Sequence, residues 1–204
     1  MPSEHYFSAE PAGDFKSRQI TVQLNGESVN LKTAGGVFSP EHIDLGTQIL
    51  LQHIDRAPRE GDILDLGCGW GPIALSLARQ SPEARIWALD INERALALVR
   101  ENANHLGCKN VRAVREDEIA ADLRFSAIWS NPPIRIGKAQ LHNLLETWIP
   151  RLKPGAAAYL VVQKHLGSDS LQRWLGDRFA DEFEVDRIDS QKTFRILRVQ
   201  RNPQ

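Results

Sequence analysis

The chain has 204 residues, 42% hydrophobic and 25% charged, which is enough apolar material for one well-cored domain. A formal net charge of -1 excludes nucleic-acid binding through overall charge, so any such contact must rest on a local basic patch. No apolar run reaches membrane-spanning length, the opening Met1-Pro2-Ser3-Glu4-His5 lacks a secretory pattern, and a cytoplasmic protein with no membrane partner is expected.

Residues 1–19 are polar, rich in turn formers, and expected to be loosely held. Two alternating runs, 19–24 and 28–32, flank Asn25-Gly26. Both central positions of a type I′ turn need positive φ, so this pattern predicts a β-hairpin, expected to cover one edge of the domain. From 40 to 54, Ile43, Leu45, Ile49, Leu50 and Ile54 fit one helix face, with Ser39 as N-cap and Pro40 in the first turn. Alternation follows. Strand 62–66 leads to helix 72–80, and strand 85–89 to helix 93–106. Strand 111–114 precedes a polar segment, and strand 127–129 leads to a turn at 131–134 and a helix over 138–149. A turn at 153–155, strand 157–162, helix 169–179 and strands 183–188 and 193–199 close the chain. This is an α/β pattern: a mostly parallel sheet of seven strands with helices on both faces. Residues 1–35 read as a tail and hairpin extension, and 36–204 as one domain.

Three alternate glycines follow the first strand of the alternation, in Asp65-Leu66-Gly67-Cys68-Gly69-Trp70-Gly71. Without Cβ atoms the backbone passes close to a ligand, with N–H groups expected to point at it. The dinucleotide spacing G-x-G-x-x-G would fall on Gly67, Gly69 and Pro72, and its third position fails. Asp90 ends the next strand and is placed to accept from ribose hydroxyls, a role compatible with capping the helix at Asn92-Glu93. Asp117, between Glu116 and Glu118, belongs either to the site or to a solvated acidic loop. Cys68 and Cys108 show no metal or redox spacing and the histidines no paired motif, so neither a disulfide nor a metal site is expected.

A second motif, Asn131-Pro132-Pro133-Ile134, also follows a strand. Asn-Pro-Pro is a common turn, but it also suits methyl transfer to nitrogen. An exocyclic amine or amide nitrogen is a poor nucleophile, because its lone pair is delocalised. Two acceptors, the Asn131 side-chain oxygen and the Pro132 carbonyl, would hold its N–H bonds and aim the lone pair. The prolines lock φ and preorganise both.

Asp-x-Gly-x-Gly-x-Gly resembles the first motif of class I S-adenosylmethionine-dependent methyltransferases. The segments Gly36-Val37-Phe38-Ser39, Asp44, Gly46 to Leu51, Ile134-Arg135-Ile136-Gly137-Lys138 and Lys192 to Leu197 extend the likeness from about Gly36 to the C-terminus. They resemble the methyltransferase small-domain group, and within it single-domain relatives of the 16S ribosomal RNA guanine-N2 methyltransferases. The resemblance implies a Rossmann-like class I methyltransferase fold, S-adenosyl-L-methionine as cofactor and S-adenosyl-L-homocysteine as product. It implies Phe38, Asp65, Gly67, Cys68, Gly69, Gly71, Asp90, Ile91, Asp117 and Asn131 around the cofactor. In that assignment Asp65 meets the ammonium end of the methionine moiety, directly or through water, and Asp117 the adenine amino group. Asn131, Pro132, Pro133 and Ile134 would be catalytic. Arg135, Lys138 and Lys164 would form a basic rim for RNA phosphates, with ordinary solvated charge as the alternative. The expected partner is RNA, as ribosomal RNA or a ribosomal subunit, bound by a monomer or homodimer. Ile134 departs from the pattern, which places an aromatic residue there to stack on the target ring. Protein-glutamine, DNA-amino and small-molecule N-methylation remain open, as does a silent cofactor-binding partner subunit.

Overall fold

The computed structural model describes residues 17–203, so most of the loosely held segment expected at 1–19 lies outside the described residues. Residues 17–19 already belong to β1 (Ser17–Leu24), which pairs antiparallel with β2 (Glu27–Ala34). Asn25 and Gly26 have φ of 51° and 81°, as the hairpin signal required. The hairpin forms its own two-stranded sheet. It covers the domain through two helices, α2 (Pro72–Gln80) and α3 (Glu93–His105), and does not extend the main sheet. Val22, Leu24 and Leu31 share a buried cluster there with Leu75, Leu98 and Trp70.

The helix expected from Pro40 begins later, as α1 (Leu45–Leu51). Ser39 adopts φ of 45° and its hydroxyl donates to the carbonyl of His42. Asp44 is the actual cap: its Oδ2 accepts from the N–H groups of Gly46 (2.9 Å) and Thr47 (3.4 Å).

Strands β3 (Glu60–Leu66), β4 (Glu83–Leu89), β5 (Val111–Val114), β6 (Phe125–Ser130), β7 (Leu152–Gln163), β8 (Phe183–Gln191) and β9 (Phe194–Arg201) form one sheet. Their order is β5-β4-β3-β6-β7-β9-β8. Pairing is parallel from β5 through β7, and β9 runs antiparallel to both its neighbours. The parallel strands are near-continuous apolar runs because α2 and α3 cover one face, and α4 (Lys138–Trp148) and α5 (Ser168–Arg178) pack against the apolar residues of the other. The turn expected at 153–155 is absorbed into β7. Register shifts there, with Phe125 opposite Leu152 but Ala127 opposite Ala157, so the intervening residues of β7 bulge.

The strand order reverses between β3 and β6, so the loops after these two strands diverge and leave a crevice. Ser130 Oγ donates to the Leu66 carbonyl at 2.6 Å and ties the two strand ends together. Gly71, at the start of α2, has φ of 103°, and an added Cβ would lie 3.2 Å from Val99 Cγ2. Gly71→Ala is therefore expected to destabilise the fold by about 1–2 kcal/mol from the left-handed backbone alone. A denaturant midpoint equal to wild type would contradict this.

Candidate active site

At the crevice lies a cavity of about 610 Å³. The glycine loop supplies Gly67 and Gly69, the end of β4 supplies Asp90 and Ile91, and the loop after β6 supplies Asn131 through Ile136. Val37 to Pro40, Asp44, Leu144, Val161, Gln163, Leu166 and Phe194 also line it. The two sequence motifs thus meet at one sheet edge, as their positions after strands required.

The glycine loop differs from a phosphate cradle. The N–H groups of Gly67 and Cys68 both donate to the Leu89 carbonyl at 2.9 Å, and that of Gly71 to the Cys68 carbonyl at 3.0 Å. Gly69 N–H donates to Asp90 Oδ2 at 2.9 Å. The expectation that these amides would point at the ligand is thereby corrected: the chain's own acceptors hold them. What the glycines provide is space. A Cβ on Gly67 would project toward the Pro133 ring, 4.0 Å from its Cδ, and one on Gly69 would meet nothing within 4 Å among the described residues. The loop therefore favours a ligand that needs close approach and no anion hole. Among the described residues, three carboxylates, Asp44, Asp90 and Glu116, line the cavity against one guanidinium, Arg135. That balance suits a cation.

Asp90 sits at the cavity wall, with Oδ1 accepting from Asn92 N–H at 2.9 Å. Burial raises its carboxyl above the usual range, against the N–H groups of Asn92, Gly69 and Ile91. Helix α3 is capped by Asn92, whose side chain accepts from Arg94 and Ala95, so Asp90 braces the loop. Ile91 is 56% exposed beside it and offers an apolar face for a flat ring, and Phe38, 40% exposed, lines the same cavity.

Several expected residues fall elsewhere. Asp65 is fully buried and outside the cavity wall, because its position on β3 turns it toward α2. Its Oδ2 accepts from Ala74 N–H at 2.8 Å, and Oδ1 has no hydrogen-bond partner among the described residues. The side chain thus braces the helix start. Asp117 is exposed and pairs with Arg115 at 3.4 Å; its neighbour Glu116 reaches the cavity in its place. A short 3-10 helix at Glu116–Glu118 turns successive side chains in different directions, which strand-based reading misses. Cys68 is buried and lines only a small adjoining recess with Thr47 and Trp70. Gly71 packs against the helices. Arg135 lines the cavity, while Lys138 and Lys164 are exposed beyond its wall.

Burial drives the Asp65 carboxyl well above its ordinary range; the Ala74 N–H opposes this and the Asp90 charge adds to it. The folded state therefore holds this proton to higher pH than the unfolded chain does. That contribution to stability is present below the ordinary carboxylate pKa of about 4 and is lost as pH rises toward the folded value. Asp65→Asn keeps an oxygen for Ala74 and cannot ionise. Between pH 5 and pH 8 its melting temperature is expected to fall less than that of the wild type. Parallel pH profiles would mean that Asp65 ionises as an ordinary carboxylate.

Asn131 is the best-defined group in the cavity. Its Nδ2 donates to Asp44 Oδ2 and to Thr47 Oγ, each at 3.0 Å. Both amide hydrogens are thus taken, and Oδ1 accepts nothing among the described residues. Next to it, Pro133 at φ -75° and ψ 73° forms an inverse γ-turn. The Pro132 carbonyl accepts from Ile134 N–H at 2.8 Å, which leaves its second lone pair. Two fixed acceptors on successive residues thus stand beside a glycine-cleared pocket that carries the Asp90 carboxylate, in a Rossmann-like methyltransferase fold.

The sequence matches the methyltransferase small domain over residues 28–198, and the chain belongs to that family of S-adenosylmethionine-dependent methyltransferases. It is 34% identical to the uncharacterised protein YbxB of Bacillus subtilis, over 98% of this chain and 99% of that one. It is 30% identical to ribosomal RNA small subunit methyltransferase C of Stutzerimonas stutzeri, covering 78% of this chain and 52% of that protein. The chain thus matches YbxB in full and about half the length of the named methyltransferase. In structure it resembles the T. thermophilus 16S rRNA guanine-N2 methyltransferase in complex with AdoMet and guanosine, with a TM-score of 0.77, 22% identity, and coverage of 93% of this chain and 52% of that one. No helix among the described residues is long and apolar enough to cross a membrane.

Proposed function

We infer that this enzyme methylates an exocyclic amino group of RNA, guanine N2 of 16S ribosomal RNA, and works where ribosomes are made, in the cytoplasm. One observation carries the N-methylation: the Asn131 amide is held by Asp44 and Thr47, so its oxygen is left to accept. RNA and guanine rest on likeness to proteins named for that chemistry.

S-adenosylmethionine, when bound, supplies an electrophilic methyl group. Phe38, Gly67, Gly69, Asp90, Ile91 and Glu116 would hold it, all on the cavity wall. Asn131 Oδ1 and the Pro132 carbonyl accept the two N–H bonds of the amine and turn its lone pair toward the cofactor side. Alignment and proximity supply most of the rate. The amine proton stays hydrogen-bonded at Asn131 Oδ1 until water takes it, so no strong base is required. Ile134, packed at the cavity wall, offers the target ring an apolar face without π-stacking. Arg135, Lys138 and Lys164 lie where RNA phosphates would pass. In this assignment residues 36–204 carry the reaction and the hairpin supports α2 and α3.

The test is labelled methyl transfer to 30S and 50S subunits, free ribosomal RNA, DNA and total protein, followed by nucleoside analysis. Label in N2-methylguanosine of the small-subunit RNA is expected. Label confined to protein, DNA or small molecules would overturn the RNA assignment.

A further inference from the structure

Asp44 and Asn131 lie 87 residues apart in the chain, yet their side chains meet at 3.0 Å. A carboxylate has only acceptors. Its partner must therefore be the amide NH2 of Asn131, because the reversed amide would set two oxygens against each other. Thr47 Oγ, 5% exposed on the first turn of α1, takes the second amide hydrogen. Asp44 is in turn fixed by the Gly46 and Thr47 N–H groups, so the start of a helix anchors the carboxylate. Gly46 allows this crowding. A Cβ there would stand 3.0 Å from Asp44 Oδ2 and 2.8 Å from a ring carbon of Phe194.

We propose that Asp44 and Thr47 are positioning residues that fix the rotamer and orientation of the Asn131 amide, so that its oxygen, and not its NH2, faces the amine to be methylated. This rests on the reading of Asn131 as the acceptor and extends it. The N-terminal cap of α1 thereby sets the polarity of the acceptor site. A free amide would present NH2 half the time to a group that itself brings only N–H, and that orientation is unproductive.

The experiment measures kcat, KM for RNA and the Kd of S-adenosylhomocysteine in Asp44→Asn, Thr47→Val, Thr47→Ser and Asn131→Ala. Asn is as good an N-cap as Asp, so α1 survives in Asp44→Asn. That variant lets the Asn131 amide sit either way round. Its kcat is expected to fall by on the order of 10- to 100-fold, with melting temperature near wild type and the Kd of S-adenosylhomocysteine, which lacks the sulfonium charge, also near wild type. Thr47→Val should lower kcat in the same way and Thr47→Ser should restore it. Asp44→Asn added to Asn131→Ala should cost nothing further, since there is no amide left to orient. An equal loss in both backgrounds would mean that Asp44 acts elsewhere. A loss of cofactor affinity with kcat intact would make it a ligand contact. Either result overturns the positioning role. Asn131→Ala with full activity would instead overturn the underlying acceptor reading.

Discussion

Asn131→Ala is expected to lower kcat by on the order of 10²- to 10³-fold while cofactor affinity stays close to wild type. The magnitude is that of removing one preorganised hydrogen-bond partner of the reacting group. The split between kcat and affinity follows from the proposed division of labour. In the proposed roles Asn131 Oδ1 holds the amine, while Asp90, Ile91 and Glu116 on the cavity wall hold the cofactor. Stability should change little, because Asn131 is only partly buried and Asp44 keeps two backbone partners without it. Steady-state kinetics with the RNA substrate and calorimetry with S-adenosylhomocysteine decide the matter. An alanine variant with wild-type turnover would leave the Asn-Pro-Pro turn a structural feature only.

Asp90→Ala is expected to weaken S-adenosylmethionine binding by on the order of 100-fold. Hydrogen bonds to a charged acceptor contribute about 1.5–3 kcal/mol each, and a ribose offers two hydroxyls. The substitution also frees Gly69 N–H and Asn92 N–H, both of which end on this carboxylate, so the loop loosens. Asp90→Asn should fall between wild type and alanine, with one oxygen kept and one amide donor set against a backbone N–H. NADH should not bind the wild type, since the loop amides that would meet a pyrophosphate are already bonded internally. Calorimetry showing an unchanged cofactor Kd in Asp90→Ala would remove the carboxylate from the site.

The sequence alone determined the alternation of strands and helices, because each element carries its own punctuation. Helix α2 runs from Pro72 to Gln80 and β5 from Val111 to Val114, both as the pattern predicts. Pro at the first helical position and Asn-Gly at the hairpin act through local backbone sterics, so neighbouring residues suffice to read them. The two motifs were legible for the same reason. Each is a strand end followed by residues of restricted or unusual φ.

What only the tertiary structure decided concerns partners far apart in the chain. Ser39-Pro40 looks locally like a helix start, yet α1 is capped by Asp44, and the Ser39 carbonyl accepts from Trp70 Nε1 at 3.1 Å. Asp65 and Asp90 are both strand-end carboxylates in sequence. The direction of each side chain sends one into α2 and the other to the cavity. A 3-10 turn chooses Glu116 over Asp117. The contact from Asp44 to Asn131 spans α1 and the loop after β6, and no local rule could supply it. Propensity and periodicity describe a chain's own neighbourhood. The orientation of an amide depends on which distant acceptors the packed sheet brings within 3 Å of it, and that is settled only once the sheet order is in place.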